Sequence, residues 1–319
     1  MSTSLASGGF PATRADRWFY ALKPASWPKL VVPALFGQLL GARVTGGLDL
    51  AAFGWGFAFT AFGLAFIVLL NDWGDREVDA LKRRMFPDGC SPKTIPDAIL
   101  DARSVAVAGA LCGLVAIALA GGAERALHRG WATEAGVACV LLFVAYTLPP
   151  VRLNYRGGGE LAEMLGVGVA LPLYNLYLQA GAVPVAIWPW IGGFAVLSLA
   201  SAIASGLSDE QSDRLGGKRT FASTFGNRAA RRLTEGLALL GILIWAAAAL
   251  FGNSLVPSWA AAAAIGIAVW NLAALLRVSD QAVTNAFAAQ SEYKHFLHRA
   301  IWHSTTVAAV LAWLQANLS

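Results

Sequence analysis

Two short runs of carboxylates hold most of the chemistry available to this chain. In NDWGDREVD, residues 71–79, Asn71, Asp75 and Asp79 recur every four positions, and Asp72 lies three before Asp75. On a helix that spacing puts the side chains on one face. Carboxylates so close repel one another unless a cation lies between them, and their oxygens are the ligands that hard divalent ions prefer. In SDEQSD, residues 208–213, Asp209 and Asp213 repeat the i, i+4 arrangement. Mg²⁺ commonly bridges one or two carboxylates to phosphate oxygens and keeps several waters, so two such clusters facing each other suit a diphosphate. The expected ligands are Asp72, Asp75, Asp209 and Asp213, with Asn71 assisting and Asp79 orienting a basic group.

Basic residues accompany both runs. Lys93 follows the first and Lys218 the second, in GGKRTFASTFG, with Arg152 in the loop between the predicted fourth and fifth spans. Such cations neutralise and anchor the oxygens of a leaving diphosphate. Lys82, Arg83 and Arg84 are expected instead to face lipid headgroups. Tyr174, Asn175, Tyr177 and Gln179 lie inside an apolar stretch, where unpaired polar groups are costly, so they line a cavity or bond between helices. His295, His298 and His303 have no carboxylate at a fixed catalytic spacing and are read as structural. Cys90, Cys112 and Cys139 are scattered and form neither a metal motif nor a disulfide framework.

The elements that must position these residues are membrane spans. The chain has 319 residues, 57% hydrophobic and 13% charged, whereas a soluble domain is about a quarter charged. Residues 51–70, 104–121, 164–207 and 236–276 contain no Asp, Glu, Lys or Arg. A helix crosses the hydrocarbon core with about 20 apolar residues. The two longest stretches therefore hold two crossings each, turning at Gly181 to Pro184 and at Asn253 to Pro257. With 30–45, 131–149 and 300–317 the count is nine. Trp27, Trp73, Trp131 and Trp188 stand near span ends, as in an interfacial aromatic belt. No signal-peptide core precedes the first span.

Of the 24 Lys and Arg residues, only Arg43, Arg125 and Arg129 fall on the far side of this nine-span layout. That asymmetry places the N-terminus in the cytoplasm, the C-terminus outside and both aspartate runs near the cytoplasmic face. It also argues against nucleic acid as the partner of the +5 net charge. The runs follow the predicted second and sixth spans, which suggests one domain over 1–319. It would be built as a pseudo-repeat of four-helix halves, about 17–155 and 156–277, plus a ninth span at about 300–317.

NDxxDxxxD after the second span, DxxxD followed by GK-x-T after the sixth, and the nine-span frame resemble the UbiA superfamily of intramembrane prenyltransferases. The segment YTLPPVRLNYRGGGELAEMLGVG, residues 146–168, and LKPASWPKLVVPALFG near the N-terminus are similar to the 1,4-dihydroxy-2-naphthoate polyprenyltransferase branch. SPKTIP, residues 91–96, departs from that branch, which commonly has an Arg-Pro pair there. The resemblance implies an all-α bundle of nine helices around a central cavity open sideways to lipid. It also implies Mg²⁺, two ions with Mn²⁺ able to substitute, and transfer of a polyprenyl group from a prenyl diphosphate to a small aromatic acceptor. Tyr146 and Tyr155 would shield the allylic cation by cation–π contact, and Tyr155, Arg156 and Glu160 would meet the acceptor. A different acceptor (4-hydroxybenzoate, a chlorophyllide-like ring or a glycerol phosphate) and terpene cyclisation use the same first step. A transporter is the alternative outside enzymes, although its acids and bases would lie mid-span rather than at helix ends.

Overall fold

The computed structural model describes residues 11–252 and 255–318, and among them the chain is helical with no strand. Residues 1–10, Ser319 and the first two residues of the predicted turn at Asn253 to Pro257 lie outside the described residues. A short α1 (Arg14–Ala21) and a 3-10 turn lead into α2 (Pro28–Thr45), α3 (Leu50–Met85), α4 (Ala102–Leu127) and α5 (Ala132–Thr147). A single turn, α6 (Leu153–Arg156), precedes a continuous rod made of α7 (Gly159–Glu163), a π-helical stretch (Met164–Ala170) and α8 (Leu171–Ala180). Then come α9 (Trp188–Ser205), the short α10 (Glu210–Leu215) and α11 (Phe221–Phe225), and the long α12 (Asn227–Phe251), α13 (Ser258–Val278) and α14 (Phe287–Leu318).

Backbone groups in hydrocarbon must be satisfied within their own segment, which is why each charge-free stretch is helical. Six helical segments are long and apolar enough to cross a membrane: Leu50–Met85, Ala102–Leu127, Gly159–Ala180, Val185–Ser208, Asn227–Phe251 and Ser258–Gln281. The predicted first, fourth and ninth spans also coincide with helices. Of these, α5 is apolar but short, and α2 and α14 fall below the same measure.

Two large apolar cores form, beside a small one around Ala21, Leu69 and Val105. One gathers α3, α4 and α5 with Leu171, Tyr174 and Leu178 of α8; the other gathers α9, α12, α13 and α14 with Phe36, Leu39 and Leu40 of α2. Thus α2 and α8, which cross between the cores, hold the molecule together. Their approach is close because α2 presents glycines: a Cβ on Gly37 would stand 2.0 Å from the Pro172 carbonyl oxygen, and one on Gly41 2.6 Å from Gln179 Cβ. Small residues at helix contacts of this kind serve packing in lipid, where the solvent drives no burial.

The polar groups of α8 resolve into bonds between elements. Asn175 Oδ1 accepts from Gln38 Nε2 at 2.9 Å, and Gln179 exchanges bonds of 2.8 and 3.1 Å with the backbone of Asp49. Tyr174 packs on Phe59 with ring centres 4.3 Å apart, and the Tyr177 hydroxyl accepts from the Trp131 N–H at 3.3 Å. His298 lies 3.3 Å from Ser201 Oγ and stacks on Trp302, while His295 and His303 are exposed.

Candidate active site

The 36 residues of α3 rise about 54 Å, well beyond a hydrocarbon core of about 30 Å. The excess carries the first aspartate run out of the apolar stretch without breaking the helix, so Asn71, Asp75 and Asp79 do share a face. Lys82, three residues further on, shares it too, and it is buried and paired with Asp209. This corrects the expectation that Lys82 faces headgroups: its helical phase turns it inward. Arg83 bonds Asp97 at 3.1 Å, and Arg84 is exposed.

The loop after α3 folds back on it. Lys93 Nζ lies 2.6 Å from Asp79 Oδ1, and Thr94 Oγ1 donates to Asp72 Oδ2 at 2.6 Å. Both belong to SPKTIP, the segment that departs from the naphthoate pattern. A second cation comes from before α2: Lys23 pairs with Asp72. Its backbone is left-handed, φ 48°, a conformation uncommon for a side chain other than Gly, Asn or Asp. The segment is fixed further by the Tyr20 hydroxyl, which donates to the Pro92 carbonyl at 2.7 Å. Neither Lys23 nor Thr94 stands out in the sequence as a site residue.

The second run, unlike the first, does not continue its apolar helix. A 3-10 turn, Gly206–Ser208, ends α9, Asp209 sits outside helical geometry, and α10 starts at Glu210. The turn re-aims the chain so that the following loop passes beneath α3. There Gly217 takes φ +74°, the Lys218 N–H donates to the Asp213 carbonyl at 2.8 Å, and Lys218 Nζ reaches Asp75 Oδ2 at 2.7 Å. Glu160 fastens this loop, its Oε1 accepting from the Phe221 N–H at 2.6 Å. Arg156 is exposed and makes no ion pair with Glu160. Arg152 donates to the Gly74 carbonyl at 2.7 Å and lies 3.5 Å over the Tyr155 ring, with Lys218 Nζ 5.7 Å from the same ring.

These groups surround one cavity of about 390 Å³. Its loop-side end is lined by Asn71, Asp75, Asp79, Lys93, Asp209, Asp213 and Lys218, and its deeper end by Phe59, Ile67, Val68, Val140 and Phe143. Tyr146 and Glu160 line it as well, whereas Asp72, Arg152, Tyr155 and Arg156 are not on its wall.

The charges are matched in pairs from different segments: Lys23 with Asp72, Lys218 with Asp75, Lys93 with Asp79, Lys82 with Asp209. Burial alone would lower the Lys218 and Lys93 pKa values. Instead Asp75 and Asp213 around Lys218, and Asp79 and Asp209 around Lys93, hold both above the ordinary lysine range. Burial would likewise raise Asp209, yet Lys82 and Lys93 keep it below the usual carboxylate value. Asp213 is left over. It is 2% exposed, has no ion pair, and is pushed up to about 7 by burial and by the Asp209 and Asp75 charges, against the pull of Lys218.

Among the described residues no three His, Cys, Asp or Glu side chains converge into a ready-made metal cage. Mg²⁺ does not need one, since it binds through one or two carboxylates with waters and substrate phosphates. Asp213, a buried carboxylate with no direct ion pair that faces the same cavity as Asp75 and Asp209, fits that use. The residues present therefore suit Mg²⁺ bound together with a diphosphate.

The family model described as the UbiA prenyltransferase family matches residues 30–314. A 1,4-dihydroxy-2-naphthoate octaprenyltransferase of Mycobacterium tuberculosis is 27% identical over 241 residues, 71% of this chain and 76% of that protein. A UbiA homolog from Archaeoglobus fulgidus, solved bound to DMAPP and Mg²⁺, superposes with a TM-score of 0.67 at 18% identity, covering 89% of this chain and 99% of the other. A structure of digeranylgeranylglyceryl phosphate synthase has a TM-score of 0.59 at 13% identity, covering 93% and 98%.

Proposed function

The chain belongs to the UbiA prenyltransferase family, and from that premise we propose that it moves a polyprenyl group from a prenyl diphosphate to a small aromatic quinone precursor inside the membrane. The observation that carries this is the cavity itself, charged at the loop-side end and apolar at the deeper end. A prenyl diphosphate has the same division. Its tail, at about 0.8 kcal/mol per buried CH₂, stays in the bilayer, which accounts for a membrane enzyme rather than a soluble one.

In this reading Lys93 and Lys218 turn from Asp79 and Asp75 to the diphosphate oxygens as the donor enters. Asp75, Asp209 and Asp213 would hold Mg²⁺, two ions, with Mn²⁺ able to substitute, and Asp72, off the cavity wall and bonded to Lys23 and Thr94, would act behind them; Asn71 assists and Asp79 orients Lys93. Bound there, the metal supplies Lewis-acid neutralisation of the departing diphosphate. Arg152, bonded to Gly74, keeps α6 against α3 and so steadies the floor beneath Lys218.

The allylic C–O bond breaks with its electron pair going to the diphosphate. An electron-rich ring carbon then forms the new C–C bond, and the ring proton leaves to the diphosphate, the base that the step has just released. Tyr146 faces the developing allylic cation, and Tyr155, beneath Lys218, supports the same wall. The apolar lining excludes water, which would otherwise trap the cation as an alcohol.

The naphthoate relative and the segment 146–168 support a bicyclic diphenol as the acceptor. The full layout is nine spans, with the N-terminus and both aspartate loops in the cytoplasm and the C-terminus outside. The protein in lipid nanodiscs, given prenyl diphosphates of several lengths with Mg²⁺ and a panel of phenolic acceptors, should yield C-prenylated naphthoate by mass spectrometry. Product only on glycerol phosphate, or a cyclised hydrocarbon without acceptor, would replace the aromatic reading. Solute transport without diphosphate release would overturn prenyl transfer.

A further inference from the structure

An aromatic acid needs a cation for its carboxylate, and Arg156, expected to meet the acceptor, is exposed and off the cavity wall. Lys29 stands on that wall instead. It belongs to the first turn of α2, its side chain is 25% exposed, and its Nζ forms an ion pair of 2.6 Å with Glu163 Oε1 of α7. Glu163 lines the same cavity. An ammonium carries three N–H donors, and one carboxylate oxygen takes only one of them. Among the described residues Glu163 is the only ion-pair partner of Lys29, so the cation keeps donors for a ligand in the cavity.

Lys29 is set apart from the cations of the diphosphate end. Lys23, Lys82, Lys93 and Lys218 each pair with an aspartate of the two runs, and Lys29 with none of them. Lys294 adds to its charge. That residue donates to Ser208 Oγ at 3.0 Å and has no ion pair among the described residues; burial, with the Lys82 and Lys29 charges and against Asp209, holds its pKa below the ordinary lysine range. An anion beside Lys29 relieves this repulsion. The Tyr146 ring says what else the ligand carries. Gly159 and Glu163 lie four positions apart on α7, hence on one face, and both line the cavity with Tyr146. A Cβ on Gly159 would stand 3.4 Å from Tyr146 Cε2, so that ring lies about one helical turn from the Glu163 side chain and its Lys29 partner. A flat ring laid on Tyr146 brings a substituent to Lys29.

Resting on the aromatic-acceptor reading above, we propose that Lys29 Nζ binds a carboxylate on the acceptor ring and so selects aromatic acids over the same rings without the acid. Glu163 keeps one N–H of Lys29 and holds the ammonium at the wall, and the acceptor carboxylate takes another. The two substrates are both anions, and they are received by separate cations: the diphosphate at the aspartate runs, the acid at the start of α2.

The test compares 1,4-dihydroxy-2-naphthoate with 1,4-dihydroxynaphthalene as acceptors, in nanodiscs with Mg²⁺ and one prenyl diphosphate. Wild type is set beside Lys29→Met, Lys29→Arg and the double variant Lys29→Met with Glu163→Gln, which leaves no lone charge behind. Wild type should favour the acid at least about tenfold in kcat/KM, through KM, because the other ring forgoes a charge-assisted bond. That preference should fall about tenfold in Lys29→Met and in the double variant, and Lys29→Arg should keep most of it. Affinity for an unreactive prenyl thiolodiphosphate should stay within about twofold in every variant, as for a distant and independent site, which also shows that the variants fold. A preference that survives in the double variant overturns the inference. So does an equal loss on both rings, which would make the pair a fastening of α2 to α7, and so does a fall in donor affinity, which would move Lys29 to the diphosphate end. A wild type that prenylates both rings alike overturns the inference alone; one that prenylates neither overturns the aromatic reading with it.

Discussion

Lys218, on a loop, and Asp75, on α3, lie 143 positions apart and meet at 2.7 Å, Asp75 buried and Lys218 partly so. Removing the ammonium leaves a buried carboxylate uncompensated and takes a charge-assisted bond, about 1.5–3 kcal/mol, from the bound diphosphate. Lys218→Met should weaken prenyl diphosphate binding roughly tenfold to a hundredfold, measured by calorimetry, and Lys218→Arg should recover part of it; wild-type affinity in Lys218→Met would remove Lys218 from the donor site. Residues of this type were legible in the sequence because their spacing is local: Asn71, Asp75 and Asp79 declare a shared face within two turns. Lys23 and Thr94 were not, since each is an unremarkable residue until the fold brings it to Asp72. Arg156 shows the reverse error, a charge in a suggestive motif that the fold leaves on the surface.

At the scale of elements, the long α3 was readable from its charge-free stretch running straight into an i, i+4 motif. The end of α9 was readable too, since the charge-free stretch stops at Leu207 and Asp209 follows, but the 3-10 turn that re-aims the chain there was not. The consequence is that the second aspartate run depends on its loop for position, and Glu160 holds that loop through the Phe221 N–H. Glu160→Ala should lower the melting temperature and donor affinity together, by an amount set by a lost buried bond of about 1–3 kcal/mol. Glu160→Gln, which keeps the acceptor oxygen, should restore most of both; an effect on acceptor KM alone would return Glu160 to the acceptor. The contact of α2 with α8 is a second test of position. Gly37→Ala would place a methyl 2.0 Å from the Pro172 carbonyl oxygen, and overpacking of that kind costs about 1–3 kcal/mol. A detergent melting curve should show the loss, whereas Gly54→Ala, at a site with open space, should not.

For the whole molecule, the charge asymmetry and the cavity support linked proposals: the loops that carry Lys93 and Lys218 would lie on the cytoplasmic side, where a soluble diphosphate would be released. With Cys90, Cys112 and Cys139 replaced, Asp88→Cys and Leu215→Cys should react with a membrane-impermeant maleimide only from the cytoplasmic side. Gly130→Cys should react only from the other. All three positions are exposed. The helical plan was legible because lipid imposes helices; the crossing of α2 and α8 between the two larger cores was not, since it rests on glycine contacts between distant segments. What unites the scales is the claim that two carboxylate runs on opposite sides of one cavity bind a prenyl diphosphate through a divalent cation. The most direct measurement is the affinity of an unreactive prenyl thiolodiphosphate for the protein in nanodiscs, with Mg²⁺ and then with excess EDTA, for wild type, Asp75→Ala and Asp213→Ala. The account predicts tight binding by wild type with Mg²⁺, a loss of about a hundredfold or more on chelation, comparable to several kcal/mol of metal-borne charge stabilisation, and little further effect of EDTA on either variant; equal affinity with and without Mg²⁺ would contradict it.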